Sequence, residues 1–213
     1  MNYSRNLLLL IQQNSHKYLS FEISMTSFYP IDKAVPDVLT FNGIKIRQLK
    51  ATDNELDYKA VIESGFRPEG FPKEENLKQI SRHEQDHDKK IEFAFTILDI
   101  EETICYGCIF IKPIVPFLKF AFFNDRLFEH WDLEENDPGV SFWITPAGWK
   151  LNLYDKILKE LPRWFEEEWP YKKWYLLGMS PSEEEIKEVE KLKLKQKFLF
   201  QMEEQKYILW NLF

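Results

Sequence analysis

The stretch Val140–Leu161, VSFWITPAGWKLNLYDKILKEL, constrains the chain most. It reads as an apolar strand, a short turn holding Pro146 and Gly148, and an amphipathic helix. A strand that feeds a helix through a tight turn gathers backbone N–H groups at the helix start, where phosphate groups bind readily. The turn has no G-x-G-x-x-G and no G-K-[ST], so it is neither a dinucleotide fingerprint nor a P-loop. A G-x-S-x-G nucleophile elbow is also missing.

The rest of the chain must supply a sheet and helices to surround this unit. Phe41–Leu49 alternates Ile44 and Ile46 with Lys45 and Arg47, the pattern of a half-buried strand. Thr52-Asp-Asn-Glu55 spells a capping box and predicts a helix to about Ser64. Lys73–Lys90 predicts a charged helix with an apolar stripe at Leu77, Ile80 and Ile91. Glu92–Ile100 and Thr103–Pro113 read as a hairpin about Glu101-Glu102. Ile114–Gly139 is Phe-rich and long enough for a short helix or a folded lid. Pro162 is expected to kink or divide the helix before Trp169. Lys173–Leu177 is a strand, Ser180-Pro-Ser-Glu183 a second capping box before a helix to about Lys195, and Phe198–Phe213 a hairpin turning near Glu203–Gln205. The order β α α β β, then β α β α β β, predicts a mixed α/β sheet with helices against it. Residues 1–40 are an N-terminal arm and 41–213 the domain, with the Phe-rich insertion at about 114–139.

Composition limits the function classes. The 213 residues carry 18 Phe, 9 Tyr and 7 Trp, enough aromatic surface for one extensive core. A net charge of −7 without a basic run argues against nucleic acid. Two cysteines, no span of about 20 apolar residues and no secretory signal predict a cytoplasmic protein off the membrane. The run Leu7–Ile11 is shorter than the roughly 7–15 residues of a signal-peptide core, and Met25 offers an alternative start just before the patterned region.

Two motifs invite metal or redox readings. His83-Glu-Gln-Asp-His87 matches H-E-x-x-H, but its surroundings, SRHEQDHDKK, are charged throughout; a solvated helix face with His87 at the core edge is expected, and no metal. Cys105-Tyr-Gly-Cys108 lies within a strand, where positions three apart face opposite sides, so the thiols should not converge. Both are expected to be buried small hydrophobes.

From about Phe41 onward the chain resembles the GNAT superfamily of acyl-CoA N-acyltransferases. FNGIKIRQLKATDNELDYKAVIES, EENLKQISRHEQDH, FTILD…CYGCIFIKP, VSFWITP and FEEEWPY carry the resemblance. It implies a central mixed, mostly antiparallel sheet flanked by helices, and a strand, Val140–Thr145, that splays to admit the pantetheine arm of acetyl-CoA. Trp143, Ile144, Thr145, Gly148, Trp149, Lys150 and Asn152 would then bind the cofactor. The family's V-x-P-x-x-R-G-x-G-x-G-x-x-L falls on this chain with Trp149 at the arginine and Lys150, Asn152 and Tyr154 at the three glycines. The family's late tyrosine falls on Val189, leaving Tyr171 or Tyr175 as stand-ins. The implied reaction is direct attack of a primary amine, on a small molecule or peptide, upon the thioester, with a strand N–H holding the oxyanion and Asp137 or water taking the proton. The alternative is a GNAT-like binding module that has lost the CoA loop, with the Phe-rich segment as a partner or homodimer surface.

Overall fold

A computed structural model describes residues 28–122, 133–192, 196–202 and 205–211. Eight strands form one sheet: β1 (Val38–Phe41), β2 (Ile44–Gln48), β3 (Phe93–Asp99), β4 (Cys105–Pro113), β5 (Pro138–Ile144), β6 (Tyr175–Met179), β7 (Gln196–Met202) and β8 (Gln205–Asn211). Their order is β1-β2-β3-β4-β5-β6-β8-β7. Every neighbouring pair is antiparallel except β5 and β6. The helices are α1 (Asn54–Glu63), α2 (Lys73–Asp88), α3 (Ile114–Phe122), α4 (Pro146–Lys150), α5 (Leu153–Glu168) and α6 (Glu183–Glu190). This is the mixed, mostly antiparallel sheet flanked by helices that the sequence predicts.

Several local expectations are revised. The first strand is a hairpin, because Asn42 and Gly43 both take positive φ (47° and 77°), the two-residue turn that matches strand twist. At α1 the N-cap residue is Asp53 rather than Thr52, but its side chain caps nothing there; its carboxylate closes the preceding 3-10 turn, Ala51–Asp53, by accepting the Lys50 N–H at 2.9 Å, and grips Arg47 bidentately at 2.8 Å on each oxygen. The later capping box is Ser182–Glu185, further along the chain than the predicted Ser180–Glu183. On α2, Leu77 and Ile91 are exposed; the inward face is Asn76, Ile80, His83 and His87. Pro162 does not divide α5, which runs on to Glu168 because seven of its side chains are buried on both sides of the proline. That anchorage outweighs the roughly 3 kcal/mol a helical proline costs.

The main core lies between one sheet face and α5, where Leu153, Ile157, Leu158, Leu161, Trp164 and Phe165 meet Phe95, Ile109, Val140 and Trp210. Phe28 and Tyr29, from the predicted arm, seal its edge against Phe93, Trp169 and Tyr171. The expectations for residues 1–27, and for the middle of the Phe-rich insertion (123–132), lie outside the described residues. On the opposite face, α1 and α2 cover β3 and β4, and α3 packs on Tyr175, Leu177 and Leu209.

A bulge in β4 overturns the expectation for the cysteines. Ile97 pairs with Gly107 but Leu98 with Cys105, so Tyr106 is an extra residue and the side-chain alternation resets. Cys105 and Cys108 therefore face the same side, beneath α1 and α2, both free and buried. Gly107 makes the bulge possible: its φ is +152°, and a Cβ there would lie 2.0 Å from the Trp143 carbonyl oxygen of β5. Gly107→Ala is expected to destabilise the protein by about 3 kcal/mol, measured by denaturant unfolding; a change below about 1 kcal/mol would show that the β4–β5 approach yields easily.

Candidate functional site

The parallel pair β5–β6 is short. Gly139 pairs with Tyr175 and Val140 with Leu176, and beyond these the strands part. The V-shaped opening holds a cavity of about 250 Å³, walled by Ser141–Ile144 of β5 and Leu176–Met179 of β6 and closed below by Trp149, Tyr154 and Trp210. Alternate N–H groups along the parted half of β5 face this opening instead of a partner strand.

The turn after β5 is more ordered than a simple turn. Thr145 caps α4, its hydroxyl accepting the Gly148 N–H at 3.2 Å, with Pro146 at the first helical position. The N–H groups of Gly148, Trp149, Leu151 and Asn152 all bond within this segment. Asn152 then takes the left-handed conformation (φ 55°, ψ 35°), the one glycine-aligned position where such an angle is used, and asparagine tolerates it. Lys150 and Tyr154 are helical. The Tyr154 ring is buried, stacked on Trp149 at 4.8 Å and tilted on Phe142 at 4.7 Å. Trp143, Ile144 and Trp149 thus line the cavity, while Thr145 and Gly148 are buried within the α4 cap and do not line it, and Lys150 and Asn152 are exposed on the turn.

Asp137 is not brought to this opening. It sits before the paired end of β5, where its carboxylate accepts the Glu134 N–H at 2.8 Å and faces Lys173 Nζ at 3.3 Å. Burial raises its pKa against these two partners. Tyr171 donates to the Phe28 carbonyl and Tyr175 lies in the α3 cluster, so neither lines the opening; Tyr154 is the phenol that does. Burial, with Glu185 and Glu188 nearby, holds that phenol protonated.

A second cavity of about 100 Å³ adjoins the first, and the two share Phe66, Phe110, Ser141, Trp143 and Met179. Its own walls are ionisable: Asp57 from α1, Arg67 from the following loop, Arg82 and His83 from α2 and Lys112 from β4. Asp57 accepts Asn76 Nδ2 at 2.8 Å and the Cys108 thiol at 3.3 Å, and burial pushes its carboxyl above the ordinary range. His83 Nδ1 lies 2.5 Å from Glu92 Oε1. Burial alone would raise the Glu92 pKa, but the charge of Lys112 and the His83 hydrogen bond outweigh it and hold the carboxyl at about 2.

The H-E-x-x-H expectation is revised accordingly. His87 is a core residue packed edge-on against Phe93 and Phe95, whereas His83 faces the second cavity. No cluster of three or more His, Cys, Asp or Glu suited to a metal occurs among the described residues. Asp57, Arg67 and His83 escape sequence reasoning because only the packing of α1 and α2 on β3–β4 brings them together. The i, i+4, i+7, i+11 spacing of Asn76, Ile80, His83 and His87 is the one available signal.

No protein-family model matches the sequence, and no curated protein matches it. Solved structures do match in fold. Ribosomal-protein-S5-alanine acetyltransferase from Vibrio fischeri superposes with a TM-score of 0.60 at 12% identity, over 83% of this chain and 96% of that one. A GNAT-family acetyltransferase from Bacillus anthracis matches with a TM-score of 0.55 at 14% identity, over 82% and 96%. RimL, a ribosomal L7/L12 alpha-N-protein acetyltransferase in complex with coenzyme A, matches with a TM-score of 0.60 at 9% identity, over 82% and 97%. The fold is that of the GNAT acetyltransferases.

Glu92 ties the second cavity to pH. Its folded pKa lies below its ordinary value of 4.5, so its stabilisation is present above about pH 4.5 and is lost as pH falls toward about 2. Over pH 5 to 2, unfolding free energy should fall by on the order of 2–3 kcal/mol more in the parent protein than in Glu92→Gln. Parallel pH profiles would show that Glu92 is not held ionised.

Proposed function

We propose that the protein transfers an acetyl group from acetyl-CoA to an amine, with the thioester in the β5–β6 opening and the amine entering from the second cavity. The observation that carries this reading is the junction of the two cavities at Ser141 and Trp143, beside the parted half of β5. A thioester laid along β5 would meet its unpaired N–H groups, which suit the oxyanion of the tetrahedral intermediate.

The amine nitrogen would attack the thioester carbonyl carbon, and the C–S bond would break as the intermediate collapses. His83 is the base we assign in place of Asp137. With Nδ1 engaged by the ionised Glu92, Nε2 is the nitrogen that accepts the ammonium proton, and the carboxylate steadies the imidazolium formed. Tyr154, held protonated, would donate a hydrogen bond to the departing thiolate. Trp143, Ile144, Thr145, Gly148, Trp149, Lys150 and Asn152 remain the cofactor-side residues we propose, Lys150 as a point charge for phosphate.

Three observations favour a second reading, a binding module without turnover. The α4 segment bonds its own N–H groups internally, Asp155 places a carboxylate in the first turn of α5, and Glu185 lines the opening. Each disfavours phosphate at the turn.

Calorimetry with acetyl-CoA and a thiol-release assay with a primary-amine panel separate the two. We expect sub-millimolar binding and turnover, with His83→Ala lowering kcat by roughly 10²- to 10⁴-fold at unchanged acetyl-CoA affinity. No heat at millimolar acetyl-CoA would overturn the acyltransferase reading.

A further inference from the structure

Arg67 is 5% exposed, yet it has no carboxylate partner among the described residues. One of its five donors is used, Nη2 to Gln79 Oε1 at 3.0 Å, and Nε is buried with no hydrogen-bond partner. Its Cζ lies over the rings of Phe66 and Phe71, 5.6 Å and 4.9 Å from their centroids. By contrast, Arg47 holds Asp53 and Glu102, and Arg82, which shares the smaller cavity, lies 3.8 Å from Asp86. A guanidinium removed from water and left without a counter-charge is costly, and it becomes favourable when an anion arrives with the ligand.

The placement says which ligand. Arg67 lines the smaller cavity and not the larger one, so it stands on the amine side of the junction and away from the acetyl-CoA opening. Asp57 and His83 line that same cavity, and they suit a cationic or proton-losing amine. A volume of about 100 Å³ keeps the two ends of the ligand only a few bonds apart.

Resting on the acyltransferase reading above, we propose that the acceptor is a small amine that also carries a carboxylate. Arg67 binds the carboxylate in its planar fork, and the amine points toward Ser141 and the thioester. The two phenyl rings hold the fork flat, and Gln79 fixes its roll. In this role Arg67 determines specificity and does not take part in the chemistry.

The test compares small α- and ω-amino acids with their carboxamides, pair by pair, in the thiol-release assay, while calorimetry follows acetyl-CoA separately. The parent protein should favour the carboxylate member by roughly 10- to 100-fold in kcat/KM, the effect of a charged hydrogen-bonded pair. Arg67→Gln should bring each ratio close to one. Gln79→Glu changes little in shape but gives Arg67 an internal carboxylate, and it should also remove the preference. It serves as the decisive variant if Arg67→Gln fails to fold. Equal turnover of both members by the parent overturns the proposal and leaves the acyltransferase reading standing. Bound acetyl-CoA with no turnover of any amino acid overturns it as well. Absence of acetyl-CoA binding removes both.

Discussion

The close passage of Gly107 under β5 shapes everything that follows in the sheet. With no side chain at that point, β4 can bulge and press its backbone against the Trp143 carbonyl. A bulge bends its strand and adds local twist, and here it lies opposite Ile144, at the end of β5 that leaves β6. The bend and the parting of the parallel pair belong to the same stretch of chain. The same extra residue turns both cysteines inward under α1, where Cys108 supplies Asp57 with a hydrogen bond. The one bulge thus borders the cleft through Ile144 and reaches the charged cavity through Cys108.

The charged groups beneath α1 and α2 are paired unevenly. Arg47, Asp53 and Glu102 form a partly exposed cluster that ties β2 to the β3–β4 turn, where Asp99 collects the N–H groups of Thr103 and Ile104. The Glu102 pairs, about a third exposed, contribute little individually, while Asp53 is buried and fully matched by Arg47. Other buried groups differ: Glu92 meets His83 and feels the charge of Lys112, Asp57 has only neutral hydrogen-bond donors, and Arg67 has two rings and an amide. A core built for stability alone would neutralise these last two.

The order of elements was legible because apolar periodicity and hairpin spacing are local properties, and the run from β3 to β8 followed them closely. Local signals failed where a distant contact decided the outcome. Pro162 sits quietly in α5 because Leu158, Leu161, Trp164 and Phe165 are anchored across the sheet. The turn after β5 became a separate helix, α4, once Thr145 could cap it. The alternation rule misplaced the cysteines because a glycine in a strand marks a bulge only when a neighbouring backbone comes close. Asn42-Gly43 was a local signal of a hairpin that had been absorbed into one longer strand. The resemblance pointed to the β5 residues that line the larger cavity. The ionisable lining of the smaller cavity had no such pointer, since Asp57, Arg67 and His83 are brought together only by helix packing.

The strand order carries a further consequence for how the cleft comes into being. Strands β1 to β5 occupy residues 38–144 and pair in chain order, while β6 to β8 occupy 175–211 and pair among themselves. Only two residue pairs stitch these halves together. Because β8 lies between β6 and β7, the far wall gains its partner strand only after the final segment has been synthesised. The wall built by β1 to β5 can thus form while the rest of the chain is still emerging from the ribosome, and the β6 wall closes against it last. The larger cavity therefore opens along the seam between two separately built halves.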